Sequence, residues 1–208
     1  MDQPDREDFL HRLTATPQGR EHMLRIAVDA EEGDEGGIFD LLATMVDEPR
    51  LQRLVVRHRD DEVRHASLFR ACLDRNGFEM APVPDQLRII RRIADHLGGS
   101  KPGTTPREFV LNIYALLCVI EQRGVERFPL IAAAFRAVDP ETADTYLAVA
   151  EDERRHIQYC AAIGRHYATT DAEWELAVEH ARSIEAAAFQ ATDLAHVAYV
   201  TEHGLSTA

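Results

Sequence analysis

The pentapeptide Asp61-Glu62-Val63-Arg64-His65 recurs as Asp152-Glu153-Arg154-Arg155-His156. On a helix, residues three apart share a face, so Glu62 and His65 project together, and so do Glu153 and His156. One E-x-x-H is weak evidence, because both residue types are common on solvated helices. Two copies with the same flanking Asp and Arg, each in its own helical segment, constrain the chain far more. They fit a helical bundle in which two such faces meet and share metal ions.

The rest of the chain reads as all-α, with no convincing period-two stretch. A short helix is expected over Arg6–Leu13. Thr16-Pro17 then opens a long helix to about Val46, with Leu24, Ala27, Val28, Ile38, Leu41, Leu42 and Met45 on its apolar face. Gly33, Gly36 and Gly37 fall inside it at about 1 kcal/mol each relative to Ala, so they distort that helix, allow a close helix contact near the site, or divide it. Asp47-Glu48-Pro49 precedes a second helix over 50–76, with Gly77 as its C-cap. A loop, a short amphipathic helix over 85–97 and another loop lead to Thr105-Pro106, which with Glu108 signals the start of a third long helix over 106–137. Asp139-Pro140 starts a fourth, to about Tyr167, and a fifth covers 171–203. Pro49 stands as far before His65 as Pro140 does before His156. Two antiparallel hairpins with approximate twofold symmetry, joined by a 77–105 crossover, account for this. The whole chain is read as one domain of 208 residues, with a metal-binding core over about 18–167.

A formal charge of −13 argues against a broad contact with nucleic acid or an anionic membrane. Arg88, Arg91, Arg92 and Lys101 make one basic patch in the crossover, read as the solvated face of its short helix. No apolar run approaches the ~20 residues of a membrane span, and the acidic start MDQPDREDFLHR lacks the apolar stretch of a secretory signal. Cys72, Cys118 and Cys160 are scattered, with no CxxC spacing. That pattern suits reduced thiols of a cytoplasmic protein, packed as small core residues rather than used as ligands.

The third long helix offers one inward acid. Tyr114, Leu117, Glu121, Gly124, Phe128, Ile131 and Phe135 form a stripe of three- and four-residue steps in which Glu121 is the sole charge. A carboxylate in an apolar stripe must be paired or metal-bound, since burying it alone is very costly. The first long helix has three candidates: Glu31, Glu32 and Glu35. Glu31 and Glu32 stand about as far before Glu62 as Glu121 does before Glu153. The apolar positions around Glu31 place it inward and favour it, with Glu35 as an auxiliary acid one turn on. The candidate ligands are therefore Glu31, Glu62, His65, Glu121, Glu153 and His156. Four carboxylates and two imidazoles suit iron or manganese, whereas structural zinc favours four N or S ligands. Metal-bound histidines commonly donate their outer N–H to a carboxylate. Asp61 is expected behind His156 and Asp152 behind His65, each Asp held by the arginine of its own helix, Arg64 or Arg155.

Taken together, Glu31…Glu62-Val63-Arg64-His65…Glu121…Glu153-Arg154-Arg155-His156 resembles the ferritin-like di-iron carboxylate superfamily. The doubled D-E-x-R-H looks like its oxygen-activating branch, which holds acyl-carrier-protein desaturases, ribonucleotide reductase small subunits and bacterial hydrocarbon monooxygenases. The segment Ile120–Phe128 is also similar to the third helix of ferritin-like tRNA hydroxylases. The chain is shorter than the desaturases and monooxygenases and has no rubredoxin-type CxxC pair, so no substrate class carries over. The resemblance implies a ferritin-like four-helix bundle with a long crossover between its second and third helices and extra terminal helices. It implies two iron ions or a manganese–iron pair, O2 as co-substrate, and an oxidase or oxygenase acting on a small molecule with an external electron donor. The alternatives are a rubrerythrin-like iron-handling or peroxide-scavenging protein and a tRNA-modifying hydroxylase. A homodimer stays open, as do the roles of Tyr114 and Tyr146, seven residues before Glu121 and Glu153.

Overall fold

The computed structural model describes residues 3–32, 35–97 and 104–207, and among them the chain is all-helical, without a strand. The elements are α1 (Gln3–Thr14), α2 (Pro17–Glu32), α3 (Glu35–Met45), α4 (Pro49–Arg75), a 3-10 turn (Asp85–Leu87), α5 (Ile89–Leu97), α6 (Pro106–Phe135), α7 (Pro140–Tyr167) and α8 (Asp171–Glu202). The expected 17–46 helix is two elements, α2 and α3, with residues 33–34 outside the described ones. Around α3 the buried residues are Phe39, Leu42 and Val46, while Leu41, expected inward, is exposed. The expected 85–97 helix is also divided, because Arg88 takes an extended backbone between the 3-10 turn and α5.

Local chemistry sets where the long helices begin. Proline occupies the start of α4, α6 and α7, where its missing N–H is not needed. Just before each proline a side chain caps the helix. Leu51 N–H donates to Glu48 at 2.7 Å, and Thr142 N–H donates to Asp139 at 3.1 Å. Thr105 and Glu108 form a reciprocal capping box. At the far end of α4, Gly77 takes φ +69°, and Phe78 N–H reaches back to Leu73 O at 3.0 Å. Because the motifs sit at fixed offsets from these caps, the caps also set the height of Glu62 and Glu153 along the bundle.

Helices α6 and α7 form an antiparallel hairpin, α2 packs on α4, and α4 joins the two pairs by packing on α7. The buried apolar residues fall into two clusters, one toward each end. One gathers Val55 of α4, Val110–Val119 of α6 and Cys160 and Ile163 of α7. The other gathers Phe69 and Leu73 of α4, Ile131–Phe135 of α6 and Ala143, Tyr146 and Val149 of α7. On each of the three helices the gap between clusters holds the acids and histidines of the motifs. The core is thus two apolar layers with a polar layer between them.

Helix α8 lies along α6 and α5. It enters through a close contact in which Trp174 covers Gly164 so tightly that a Cβ there would overlap the indole ring. No described helix is long and apolar enough to cross a membrane.

Asp139 does more than cap α7. It also accepts from Arg75 at 2.9 and 3.0 Å and from Asn76 at 2.8 Å, tying the end of α4 to the start of α7. Burial works against its charge, but the hydrogen bonds from Thr142, Asn76 and Arg75 outweigh it and hold the carboxyl down to about 2. A depressed folded pKa stabilises above the unfolded value and loses that contribution as pH falls through the folded one. Asp139→Ala should therefore cost about 1–2 kcal/mol near neutral pH, read by urea denaturation. The gap from wild type should close as pH drops from the ordinary aspartate range toward 2.

Candidate metal centre

Seven buried side chains converge in the middle layer. Helix α2 supplies Glu31, α4 supplies His58, Glu62 and His65, α6 supplies Glu121, and α7 supplies Glu153 and His156. Both motif histidines are fully buried, and none of the four glutamates exceeds 8% exposure. Their ligating atoms form two groups, each closer than 4.8 Å throughout and able to hold a metal ion: His58, Glu62, Glu121 and His156, and Glu31, Glu62, His65 and Glu153.

The individual distances show how the groups divide. His58 Nε2 lies 2.9 Å from Glu121 Oε1 and 3.3 Å from Glu62 Oε1, and His156 Nδ1 lies 3.1 Å from the same Glu62 oxygen. The other oxygen of Glu62 turns toward His65 Nδ1, at 3.9 Å. Glu153 divides likewise, with Oε2 2.7 Å from His156 Nδ1 and Oε1 3.5 Å from His65 Nδ1. Glu62 and Glu153 can each span both positions, while Glu121 serves one and Glu31, 3.3 Å from His65 Nδ1, serves the other. One position would have two histidines and the other a single one.

Two observations fit these residues to cations. Glu62 Oε1 and His65 Nδ1 are buried yet make no hydrogen bond, a costly condition unless something else binds them. The carboxylates also crowd one another. Burial, and then the neighbouring carboxylates, push Glu121 and Glu153 above the ordinary range. Burial opposes charge on Glu62 and His156 too, but close neighbours of opposite charge outweigh it: His156 and His58 lower the acid, and Glu153, then Glu62, raise the imidazole. A cation at each position would relieve this crowding with harder, better-placed charge.

Behind the histidines the pairs are crossed between helices. His65 Nε2 lies 3.2 Å from Asp152, and His156 Nε2 lies 3.3 Å from Asp61. Arg64 donates to Asp61 at 2.8 Å and also to Asp152, and Arg155 donates to Asp152. Each outer Nε2–H is thereby aimed at a carboxylate, leaving Nδ1 for the centre. Hydrogen bonds from Arg64 outweigh burial and keep both aspartates below their ordinary range.

Of the other acids considered for the first helix, Glu32 points outward and pairs with Arg70. The side chain of Glu35 lies outside the described residues. His58 was not among the sequence candidates. Its signal was the spacing His58, Glu62, His65, one face of a helix at four- and three-residue steps. The second motif has Val149 at the matching place, so comparing the two copies hid it. The outer nitrogen of His58 faces Cys160 Sγ at 4.0 Å instead of an aspartate. All three cysteines are buried and free.

A cavity of about 220 Å³ opens on the carboxylates from the α2, α5 and α8 side. It is lined by Glu31, Glu62, Glu121 and Glu153 but by none of the three histidines, so the centre presents oxygen to the cavity and nitrogen to the opposite side. Leu117, Phe128, Ile131 and Tyr146 line its walls. Phe135, expected with them, packs instead against Tyr146 in the core. The hydroxyl of Tyr114 is buried without a hydrogen bond, on the far side among α6 and α7 core residues.

If the crossed aspartates orient the histidines, Asp152→Asn should leave the helical circular dichroism unchanged and weaken metal affinity by about 10–100-fold, measured by competition with a chelator. Unchanged affinity would reduce Asp152 to a surface partner of Arg64 and Arg155. Comparison with protein-family models, with curated proteins and with solved structures finds no match to this chain, so what the centre does has to follow from its residues.

Proposed function

We propose that this protein is a di-metal carboxylate oxidase or oxygenase with a ferritin-like core, acting on a small organic molecule. With two iron ions bound, the centre supplies the electrons that reduce O2 and the oxidising power applied to a C–H or N–H bond. The observation that carries the reading is the cavity. A set of buried carboxylates and imidazoles that could hold metal ions borders a mostly apolar cavity of about 220 Å³, in which a small organic group can lie. Oxygen-rich donors with a minority of imidazoles favour iron or manganese over zinc. The chain order supports the ferritin-like reading: two helical hairpins joined by a long crossover, with E-x-x-H on the second helix of each.

The protein's own part follows from the geometry. Glu62 and Glu153 each have one oxygen near His156 and the other nearer His65, so they would hold both ions to the fixed frame of α4 and α7. The crossed Asp–His pairs hold the ring nitrogens in one tautomer and prevent the histidines from swinging away. Leu117, Phe128 and Ile131 give the cavity apolar walls beside the carboxylates, where the body of an organic molecule would pack. The basic patch in the crossover gives little support to an RNA substrate. Arg88 is turned onto Asp29 of α2 at 3.0 Å, Arg92 donates to Gln86 O, and Lys101 lies outside the described residues.

Protein reconstituted with ferrous iron without oxygen should hold two metals per chain, one for each group, by elemental analysis. Glu121→Ala should lose at least one of them, and full occupancy in that variant would remove Glu121 from the centre. Rapid mixing of the loaded protein with O2 should give a transient absorbance whose decay quickens when the right organic substrate is present. Uptake of iron far beyond two per chain, with no substrate-sensitive transient across a broad panel, would decide for iron storage.

A further inference from the structure

The cavity has a second polar end. Six residues beyond Glu121 on α6, about 9 Å along the helix axis, Arg127 lines the cavity wall opposite Asp193 and His196 of α8. Nearby Arg123 is fully engaged by Glu185, at 3.0 and 2.9 Å. Arg127 is not engaged in this way. Its carboxylate partner among the described residues is Asp193, at 3.6 Å, and Asp193 is shared with Arg6 at 3.5 Å. All three guanidiniums lie over the ring of Phe189, at 4.3 to 5.4 Å from its centre. Three cations around one ring face two buried acids, one fully used and the other divided. A third acid, Glu126, reaches Arg123 at 3.4 Å from an exposed position, so the buried groups alone carry more positive than negative charge. Burial, with Arg6 and Arg123 adding to it, makes that charge costly for Arg127.

A neutral donor stands beside it. His196 Nε2 is buried, lines the same end and has no hydrogen-bond partner. Burial holds this imidazole down to about 3 and its neighbour His22 down to about 4, so neither adds a cation and His196 can offer an uncharged N–H. An acid group placed here would take a charge-assisted hydrogen bond from Arg127 and a second bond from His196, satisfying two groups left wanting. Between this end and the carboxylates the walls are apolar.

We infer that the substrate is an organic acid: its carboxylate is held by Arg127 and His196, and its apolar body spans the cavity toward the Glu31–Glu62–Glu121–Glu153 face. Naming it the substrate rests on the oxidation reading above, whereas the anion end stands on its own residues. The four carboxylates repel a second anion, so the cavity also fixes orientation. The acid group sits away from the metals, and the carbon or nitrogen at the other end of the molecule is presented to them.

The probes are octanoate and phenylacetate against their uncharged amides, titrated by calorimetry into the full-length protein, as purified and after metal loading. Each acid should bind at least tenfold tighter than its amide, and Arg127→Met should bring the pair to near parity. Asp193→Asn, which frees both arginines from their internal partner, should tighten acid binding, and it keeps the question open to test if Arg127→Met does not fold. Equal affinity for acid and amide overturns the proposal, as does acid binding too weak to detect at millimolar concentration. A preference that survives Arg127→Met also overturns it, and places the acid elsewhere, such as directly on the metals. The two readings fail separately. Acid preference in a protein that binds no metal leaves the anion end intact and removes the oxidase. Two bound metals and an O2 response without acid preference do the reverse.

Discussion

Four carboxylates and three imidazoles are buried in the middle of the helical core, and the rest of the architecture answers to that. Each acid taken out of water costs several kcal/mol unless opposite charge accompanies it, so the layer is stable only with protons or metal ions among its oxygens. The protein places it between two apolar clusters, one toward each end of α4, α6 and α7. Those clusters supply the hydrophobic burial that offsets the polar layer, and they hold the helices in fixed register so that the acids meet. The caps at Glu48 and Asp139 matter for the same reason. A helix sliding by one turn would move Glu62 or Glu153 by about 5.4 Å, out of reach of its neighbours.

Much of the arrangement is legible from the chain because it is written in helical periods. The doubled motif places Glu62, His65, Glu153 and His156. The lone acid in an apolar stripe marks Glu121, and the phase of the α2 face separates Glu31 from Glu32, which the structure shows paired outward with Arg70. His58 was hidden because an isolated histidine has many ordinary uses, and because reading by symmetry compares it with Val149. The cavity-lining face of α8 was hidden for a different reason. Glu185, Phe189, Asp193 and His196 recur at helical spacing, but as a polar stripe, which on the usual pattern marks a solvated face. What they face is decided by tertiary packing, with α8 laid along α6 and α5, and no local period encodes that. The limit between α2 and α3 could not be drawn from composition either, since a glycine-rich stretch is compatible with a distorted helix or a divided one.

The departure from symmetry at His58 has a consequence for chemistry. Two identical half-sites would give two equivalent metal positions. Here one position gathers His58, His156 and Glu121, and the other only His65 and Glu31, with Glu62 and Glu153 shared. With metal ions bound, the nitrogen-richer position would have less coordination left over than the Glu31–His65 position. Behind the histidines the difference persists. His65 and His156 rest on aspartates braced by arginine, whereas His58 rests on the thiol of Cys160, which burial keeps protonated. A thiol contact orients a ring more weakly than a carboxylate does and lends it no negative charge. His58 is therefore the least firmly held of the three and the weaker donor.

The sides of the centre differ as well. His58, His65 and His156, with Asp61, Asp152, Arg64 and Arg155 behind them, are absent from the cavity lining, whereas the centre's glutamates face into it. Carboxylates can shift between one and two bound oxygens with small side-chain rotations, whereas an imidazole pinned by an aspartate cannot. Adaptable groups thus face the cavity, and rigid ones stand on the side away from it. That division follows from helix periodicity together with the way the helices cross. Residues three and four positions apart, such as Glu62 with His65 and His58, look toward slightly different sides of one helix, and crossing two such helices sorts oxygen from nitrogen.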